Sequence, residues 1–148
     1  MKPLALCLAL AISALLCPVP PAIAQPLDIA TIRDRVEAEF STAIQRIAYG
    51  ECWALYRSAA ASSKQSYSEE RFQYLFDRRL SGPVSGTPYT VTEVRVISST
   101  LAVVHARVRI VTKRAGNMLR EEAMAFPFHY EDGDWRPDLS PIIGLISW

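Results

Sequence analysis

The chain has 148 residues, half of them hydrophobic and 21% charged, which excludes intrinsic disorder and supports one domain core rather than two. Its 16 Lys and Arg stand against 15 Asp and Glu. Setting aside Lys2, which falls in the leader described next, leaves 15 against 15, and a neutral chain lacks the basic footprint of a nucleic-acid or acidic-membrane binder.

Residues 1–24 read as an export signal: Lys2 is a short positive segment, 4–16 an apolar run, Pro18 to Pro21 a helix-breaking stretch, and Ala22-Ile23-Ala24 the small-x-small pattern before Gln25. The apolar run is about 13 residues against the roughly 20 that hydrocarbon requires, so no membrane anchor remains after cleavage. Leu16 ahead of Cys17 does not suit a lipid-anchor signal. The expected product is a single domain, 25–148, exported to the periplasm or the medium. Cys7 and Cys17 leave with the signal. Cys52 is then alone, without an intrachain partner, and its apolar helical setting marks it as a buried, inert thiol.

The mature chain changes period once. A helical half, 27–80, meets a strand half, from 88 to the end, across Ser81-Gly82-Pro83-Val84-Ser85-Gly86-Thr87. In the first helix Ile29, Ile32, Val36, Phe40, Ala43, Ile44 and Ile47 recur at three- and four-residue steps, with Asp28 as N-cap and Gly50 at its end. A second short helix follows over 52–61, then a polar run over 62–66. Ser66 and Glu69 match a capping box for a third helix with Phe72, Leu75, Phe76 and Leu80 on one stripe.

The strand half alternates with period two. Thr90, Thr92, Val94 and Val96 are set against Tyr89, Val91, Glu93 and Arg95, and Ala102, Val104, Ala106, Val108 and Ile110 against Val103, His105, Arg107, Arg109 and Val111. Reversals at Ser98-Ser99-Thr100, Gly116-Asn117 and Asp132-Gly133 predict an antiparallel meander. A three-residue loop of Gly116, Asn117 and Met118 pairs Ile110 with Met124, Val108 with Phe126, Ala106 with Phe128 and Val104 with Tyr130, which makes one face wholly apolar. The other face then carries Glu93, His105 and His129 in one row, with Arg109 beside Tyr89 and Lys113 beside Glu121. Pro127 implies an edge or a bulge.

Ala48-Tyr49-Gly50-Glu51-Cys52-Trp53-Ala54-Leu55-Tyr56, Tyr67-Ser68-Glu69-Glu70-Arg71-Phe72 and Phe128-His129-Tyr130-Glu131-Asp132-Gly133-Asp134-Trp135-Arg136 occur in that order. Together with helices followed by a meander, they resemble the NTF2-like superfamily, which includes ketosteroid isomerases, polyketide-cyclase-like proteins and small exported proteins. The resemblance spans most of 28–138. It implies an α+β cone, N-terminal helices packed on a curved antiparallel sheet, with a pocket between them. The expected lining is Trp53, Tyr56, Phe72, Phe76, Phe126, Phe128 and Tyr130. The enzymatic branches place a carboxylate base and an oxyanion-stabilising Tyr or acid inside the cone, whereas Glu93, Glu121 and Glu131 fall on the polar face or near a turn. No catalytic residue is assigned.

Glu93, His105 and His129 are the metal candidate, because opposed strand residues can share an ion; the competing account is an exposed Glu-His hydrogen bond, and no metal or other cofactor is assigned. Nucleophile elbows and phosphate-cradling glycine loops are absent from the sequence. Arg78, Arg79, Arg107, Arg109 and Arg114 are offset by Asp77, Glu121 and Glu122, as on a solvated face. The apolar end, with Ile142, Ile143, Leu145, Ile146 and Trp148, must be covered, either by its own cone mouth or by a partner. Small outer-face residues, Val91, Val103, Val111, Ala123 and Ala125, permit a homodimer through the sheet.

Three functions follow as expectations. The first is an exported, non-enzymatic domain that binds a partner protein or a small apolar ligand. The second is a lyase or isomerase acting on a small carbonyl compound, with Tyr56 or Tyr130 polarising it and Asp77 or Glu51 as base. The third is a structural subunit of an envelope assembly, in which truncation after Leu139 abolishes assembly but spares folding.

Overall fold

A computed structural model describes residues 28–79, 89–112 and 118–146. The expected export signal, the 81–87 junction, Lys113, the expected Gly116-Asn117 reversal and Trp148 lie outside the described residues. The fold is α+β, as the change of period implies. Four helices, α1 (Ile29–Ala48), α2 (Cys52–Ser58), α3 (Ala61–Ser66) and α4 (Glu69–Arg79), precede four strands, β1 (Tyr89–Ser98), β2 (Leu101–Thr112), β3 (Met118–Glu131) and β4 (Asp134–Pro137), and a last helix, α5 (Ser140–Ile146). The strands form one curved antiparallel sheet in the order β1-β2-β3-β4.

The stripe read from the sequence is the buried stripe of α1: Ile32, Val36, Phe40, Ala43, Ile44 and Ile47 are all in the core, while Ile29 at the helix start is exposed. Asp28 occupies the N-cap, where its carbonyl accepts from Ile32 N–H at 3.0 Å, but its side chain makes no capping bond. At the other end Glu51 N–H donates to Arg46 O and Gly50 N–H to Ile47 O, closing a Schellman motif around Gly50 at φ +71°.

The stretch 52–66 differs from expectation. Extended backbone at Ala59 and Ala60 ends the second helix early, and the polar run becomes α3. Its helical state is tertiary in origin. Ala60 N–H donates to Pro137 O at 2.9 Å, and Ser63 is buried beneath the β4–α5 junction. The cap of α4 is Ser68, whose hydroxyl accepts from Arg71 N–H at 3.3 Å, rather than Ser66.

The first hairpin pairs Glu93 with His105, as expected, and with it Val94 with Val104 and Val96 with Ala102. A bulge at Thr92, held by its hydroxyl donating to His105 O at 2.9 Å, reverses the alternation upstream. Tyr89 and Val91 therefore turn inward and pack against the core, and Val91 leaves the outer face. Tyr89 accordingly pairs with Val108, not Arg109.

The second hairpin is a correction. Thr112 pairs with Met118 across a five-residue connection, so Phe126 lies opposite Val104, Met124 opposite Ala106 and Phe128 opposite Ala102. The displacement is by an even number of residues, so every side chain keeps its face while its partner changes. Pro127 needs no bulge: it faces Val103 and its carbonyl accepts from Asp138 N–H at 2.9 Å, which places its missing donor just beyond the end of β4. Asp132 (φ 53°) and Gly133 (φ 88°) form the two-residue turn between β3 and β4.

Helices cover one face of the sheet. Phe40 from α1 meets Tyr89, Phe126 and Phe128 at ring distances of 5.4, 5.0 and 6.5 Å. A Cβ at Gly50 would meet nothing within 4 Å, so Gly50→Ala is expected to lower stability by about 1–2 kcal/mol through left-handed backbone strain alone. Gly50→Asn should lose less. Urea unfolding of both variants checks this, and an unchanged Gly50→Ala midpoint contradicts it.

Candidate functional site

The space between helices and sheet is where the expected pocket lining converges, and most of that lining is core. Phe72 and Phe128 are 0% exposed, and Phe76 and Phe126 are buried with them. Tyr56 stacks near Phe72 at 5.8 Å, and its hydroxyl is committed to the backbone, donating to Tyr67 O at 2.8 Å. Tyr130 packs on its cross-strand neighbour Trp135 at 5.3 Å. Trp53 is not brought to this space. Cys52 and Leu55 take the buried side of α2, leaving Trp53 49% exposed with the Arg57 guanidinium 4.2 Å above its ring. Phe40, read from the sequence only as part of a helical stripe, is the aromatic that joins α1 to the sheet.

Carboxylates divide unevenly between the two faces. Glu121, on the outer face, accepts from Arg109 at 2.8 Å, and this hydrogen bond and charge hold its carboxyl below the ordinary range. Glu122 is different. The observed register sets it opposite Val108, on the helix side of the sheet, where it is half-buried. Tyr89 flanks Val108 from β1 and donates to the Ser41 hydroxyl at 2.8 Å. Asp77 on α4 and Glu51 at the N-cap of α2, the bases considered from sequence, are both exposed.

The polar row is broken. Glu93 faces His105, but Ala125 stands where His129 was expected, and His129 lies opposite Leu101 and Arg136. The longer connection between β2 and β3 is the reason. No group of three potential metal ligands occurs among the described residues.

His129 belongs to another constellation. Its Nε2 lies 3.9 Å from Asp138, whose other oxygen accepts from the Ser63 hydroxyl at 3.0 Å, the Ser140 hydroxyl at 2.6 Å and Ser140 N–H at 2.8 Å. Ser63 Oγ in turn accepts from Leu139 N–H at 2.9 Å. Burial pushes the Asp138 carboxyl up, but the bonds from Ser140 and Ser63 and the His129 charge outweigh it and hold it below 3.8. Ser63 is 1% exposed and fully engaged. The set therefore fastens α3, β3 and α5 together and presents no activated hydroxyl. The sequence did carry a signal for it: Asp138, Ser140 and Pro141 are a helix-start pattern.

That helix answers the question of the apolar end in part. Ile142 and Ile143 are 3% and 4% exposed, inside the chain's own core. The backbone stays helical through Leu145 and Ile146, and Trp148 is outside the described residues. Truncation after Leu139 therefore removes core and damages folding, contrary to expectation.

Cys52 is buried between α2 and α4. Burial, with the charges of Asp77 and Glu69, pushes its thiol up to about 12. Two clefts with described linings lie outside the interior. One of about 420 Å³ runs between α1 (Arg33, Asp34, Glu37) and β1 (91–94). The other, about 380 Å³, is a depression on the outer sheet face floored by Ala123 and Ala125 beside His105 and Arg107. No helix is long and apolar enough to cross a membrane among the described residues. No protein-family model matches the chain, and no curated protein matches it.

Asp138→Asn is expected to lower stability at pH 7 by about 1–2 kcal/mol. A depressed carboxyl contributes stability that is present above 3.8 and is lost as pH falls through its folded value. The difference between wild type and variant, measured by urea unfolding, should therefore shrink from pH 7 to pH 3, and a gap equal at both values contradicts the carboxylate's role. For Cys52, iodoacetamide at pH 8 should label the unfolded chain and leave the native chain unmodified. Stability should fall as pH rises above 9 toward 12, because the unfolded thiol ionises first. Rapid native labelling would show the thiol to be accessible.

Proposed function

We propose that the protein is an exported, non-catalytic binding domain of NTF2-like kind that acts through contact with a protein partner rather than through a ligand held in its interior. The observation carrying this reading is the packing of the expected pocket lining: Phe72, Phe126 and Phe128 are core side chains, Phe40 of α1 packs onto Phe126 and Phe128, and the Tyr56 hydroxyl is bound to a backbone carbonyl. Helices followed by an antiparallel meander ending in an Asp-Gly turn support the family kinship, and residues 1–24 support export.

A second reading, a lyase or isomerase, draws on Glu122, a strand carboxylate on the helix side of the sheet in one row with Val108 and Tyr89. It replaces Asp77, Glu51, Tyr56 and Tyr130 as the acid-base candidates of that reading. The envelope-subunit reading loses Ile142 and Ile143 as contacts, since both are core.

The full-length precursor expressed in a bacterial host should yield a periplasmic or secreted product whose intact mass begins at Gln25. An uncleaved cytoplasmic product argues against export. Native mass spectrometry of that product is expected to show protein free of small molecules, and anilinonaphthalene sulfonate should gain no fluorescence from it. A bound small molecule that is lost in Glu122→Gln or Tyr89→Phe would instead favour the enzyme.

A further inference from the structure

The two edges of the sheet are treated differently. At the β4 edge, Ala60 N–H donates to Pro137 O and Ala61 N–H to the Glu131 carboxylate, both at 2.9 Å, and the strand is only four residues long. The β1 edge is a ten-residue strand with no proline, and no described strand pairs with it. Such an edge is a template for another strand.

The ladder tells which backbone groups face outward. Tyr130 N–H donates to Thr100 O, so even-numbered residues of β2 bond toward β3 and odd-numbered ones toward β1. Glu93 and Arg95, opposite His105 and Val103, therefore bond to β2, and the N–H and C=O groups of Val94 and Val96 point to the open edge. Side chains of both signs crowd this stretch. Glu93 and Arg95 pair with each other at 3.2 Å with about half of each side chain exposed (51% and 58%), and Ile97 is 54% exposed. Alongside lies the α1–β1 cleft, whose helical wall carries Arg33, Asp34 and Glu37.

We propose that β1 is a homodimerisation edge, on which two copies pair antiparallel about a two-fold axis at Val94 and double the four-stranded sheet. The axis is selected by charge. Centred on Val94, the pairing sets Glu93 against the partner's Arg95 and Arg95 against the partner's Glu93, at the non-hydrogen-bonded positions where opposed side chains lie closest. Centred on Thr92 or Val96, it leaves both charges opposite uncharged residues. Centred on Glu93 or Arg95, it sets two like charges directly opposite each other across the axis. The mixed signs on the α1 wall are compatible with a two-fold, where a single sign would repel itself. This inference rests on the edge alone and is independent of the export and binding role proposed above.

The test is sedimentation equilibrium of the mature full-length protein over the widest soluble concentration range, with circular dichroism melts to verify folding. Wild type is expected to dimerise. Arg95→Glu and Glu93→Arg, each creating two like-charge contacts across the axis, should weaken dimerisation by about tenfold or more. The double variant Glu93→Arg/Arg95→Glu should restore it. Val94→Pro, which removes an N–H unused in the monomer ladder, should abolish dimerisation with an unchanged monomer fold. A wild type that stays monomeric overturns the proposal. So does a dimer indifferent to Arg95→Glu and Val94→Pro, which places the interface elsewhere, and so does a double variant no better than the single ones.

Discussion

Burial of one apolar face of a four-stranded sheet beneath α1 is the constraint on which the rest of this structure depends. Phe40 stands at its centre, touching Tyr89, Phe126 and Phe128 from the helix side. Removing an aromatic from such a position generally costs about 3–5 kcal/mol, a large share of a small domain's stability. The bulge at Thr92 serves the same burial, because without it Tyr89 and Val91 would point to water. The five-residue connection after Thr112 can shift partners between β2 and β3 only by an even step, since an odd one would turn either Val104 and Val108 or Phe126 and Phe128 to water.

A second, polar fastening holds what the apolar face cannot reach. Ser63, Asp138 and Ser140 connect α3 to the end of the sheet and to the start of α5, and Ile142 and Ile143 follow that helix into the core. Burial pushes this carboxylate up, and it is depressed because the three hydrogen bonds it accepts and the His129 charge outweigh that. The same elements close the β4 edge through Ala60 and Ala61. One edge of the sheet is thus sealed by structure, whereas no described strand pairs along the β1 edge.

Several ionisable groups are taken up by the fold itself. Cys52 is held as a neutral thiol, Tyr56 is bound to a carbonyl, and Asp138 is surrounded by its donors. Each has its hydrogen-bonding or charge state used up by the fold, so none is poised as a base or nucleophile. Glu122 is the exception in position, a half-buried carboxylate on the helix side, and it is the residue on which an enzymatic role would turn.

The sequence by itself determined the order of helices before strands, the buried stripe of α1, the helix stop at Gly50, the Asp132-Gly133 turn and the face on which each residue from Glu93 to Val96 lies. All of these depend on local period or on one residue's backbone freedom, which neighbours in sequence already express. It could not decide the partners of β3, because an even shift leaves the apolar pattern satisfied, and so the Glu93, His105 and His129 row was legible in composition but not in register. Nor could it show that 61–66 is helical, since that helix is held by Pro137 and Asp138 across long sequence distance. Trp53 reads as interior by hydrophobicity, but only the packing of α2 on Cys52 and Leu55 reveals that it faces Arg57 and water. Side-chain period constrains which face is buried; which groups then meet is settled by loop length, bulges and distant hydrogen bonds, and those exist only in the assembled fold.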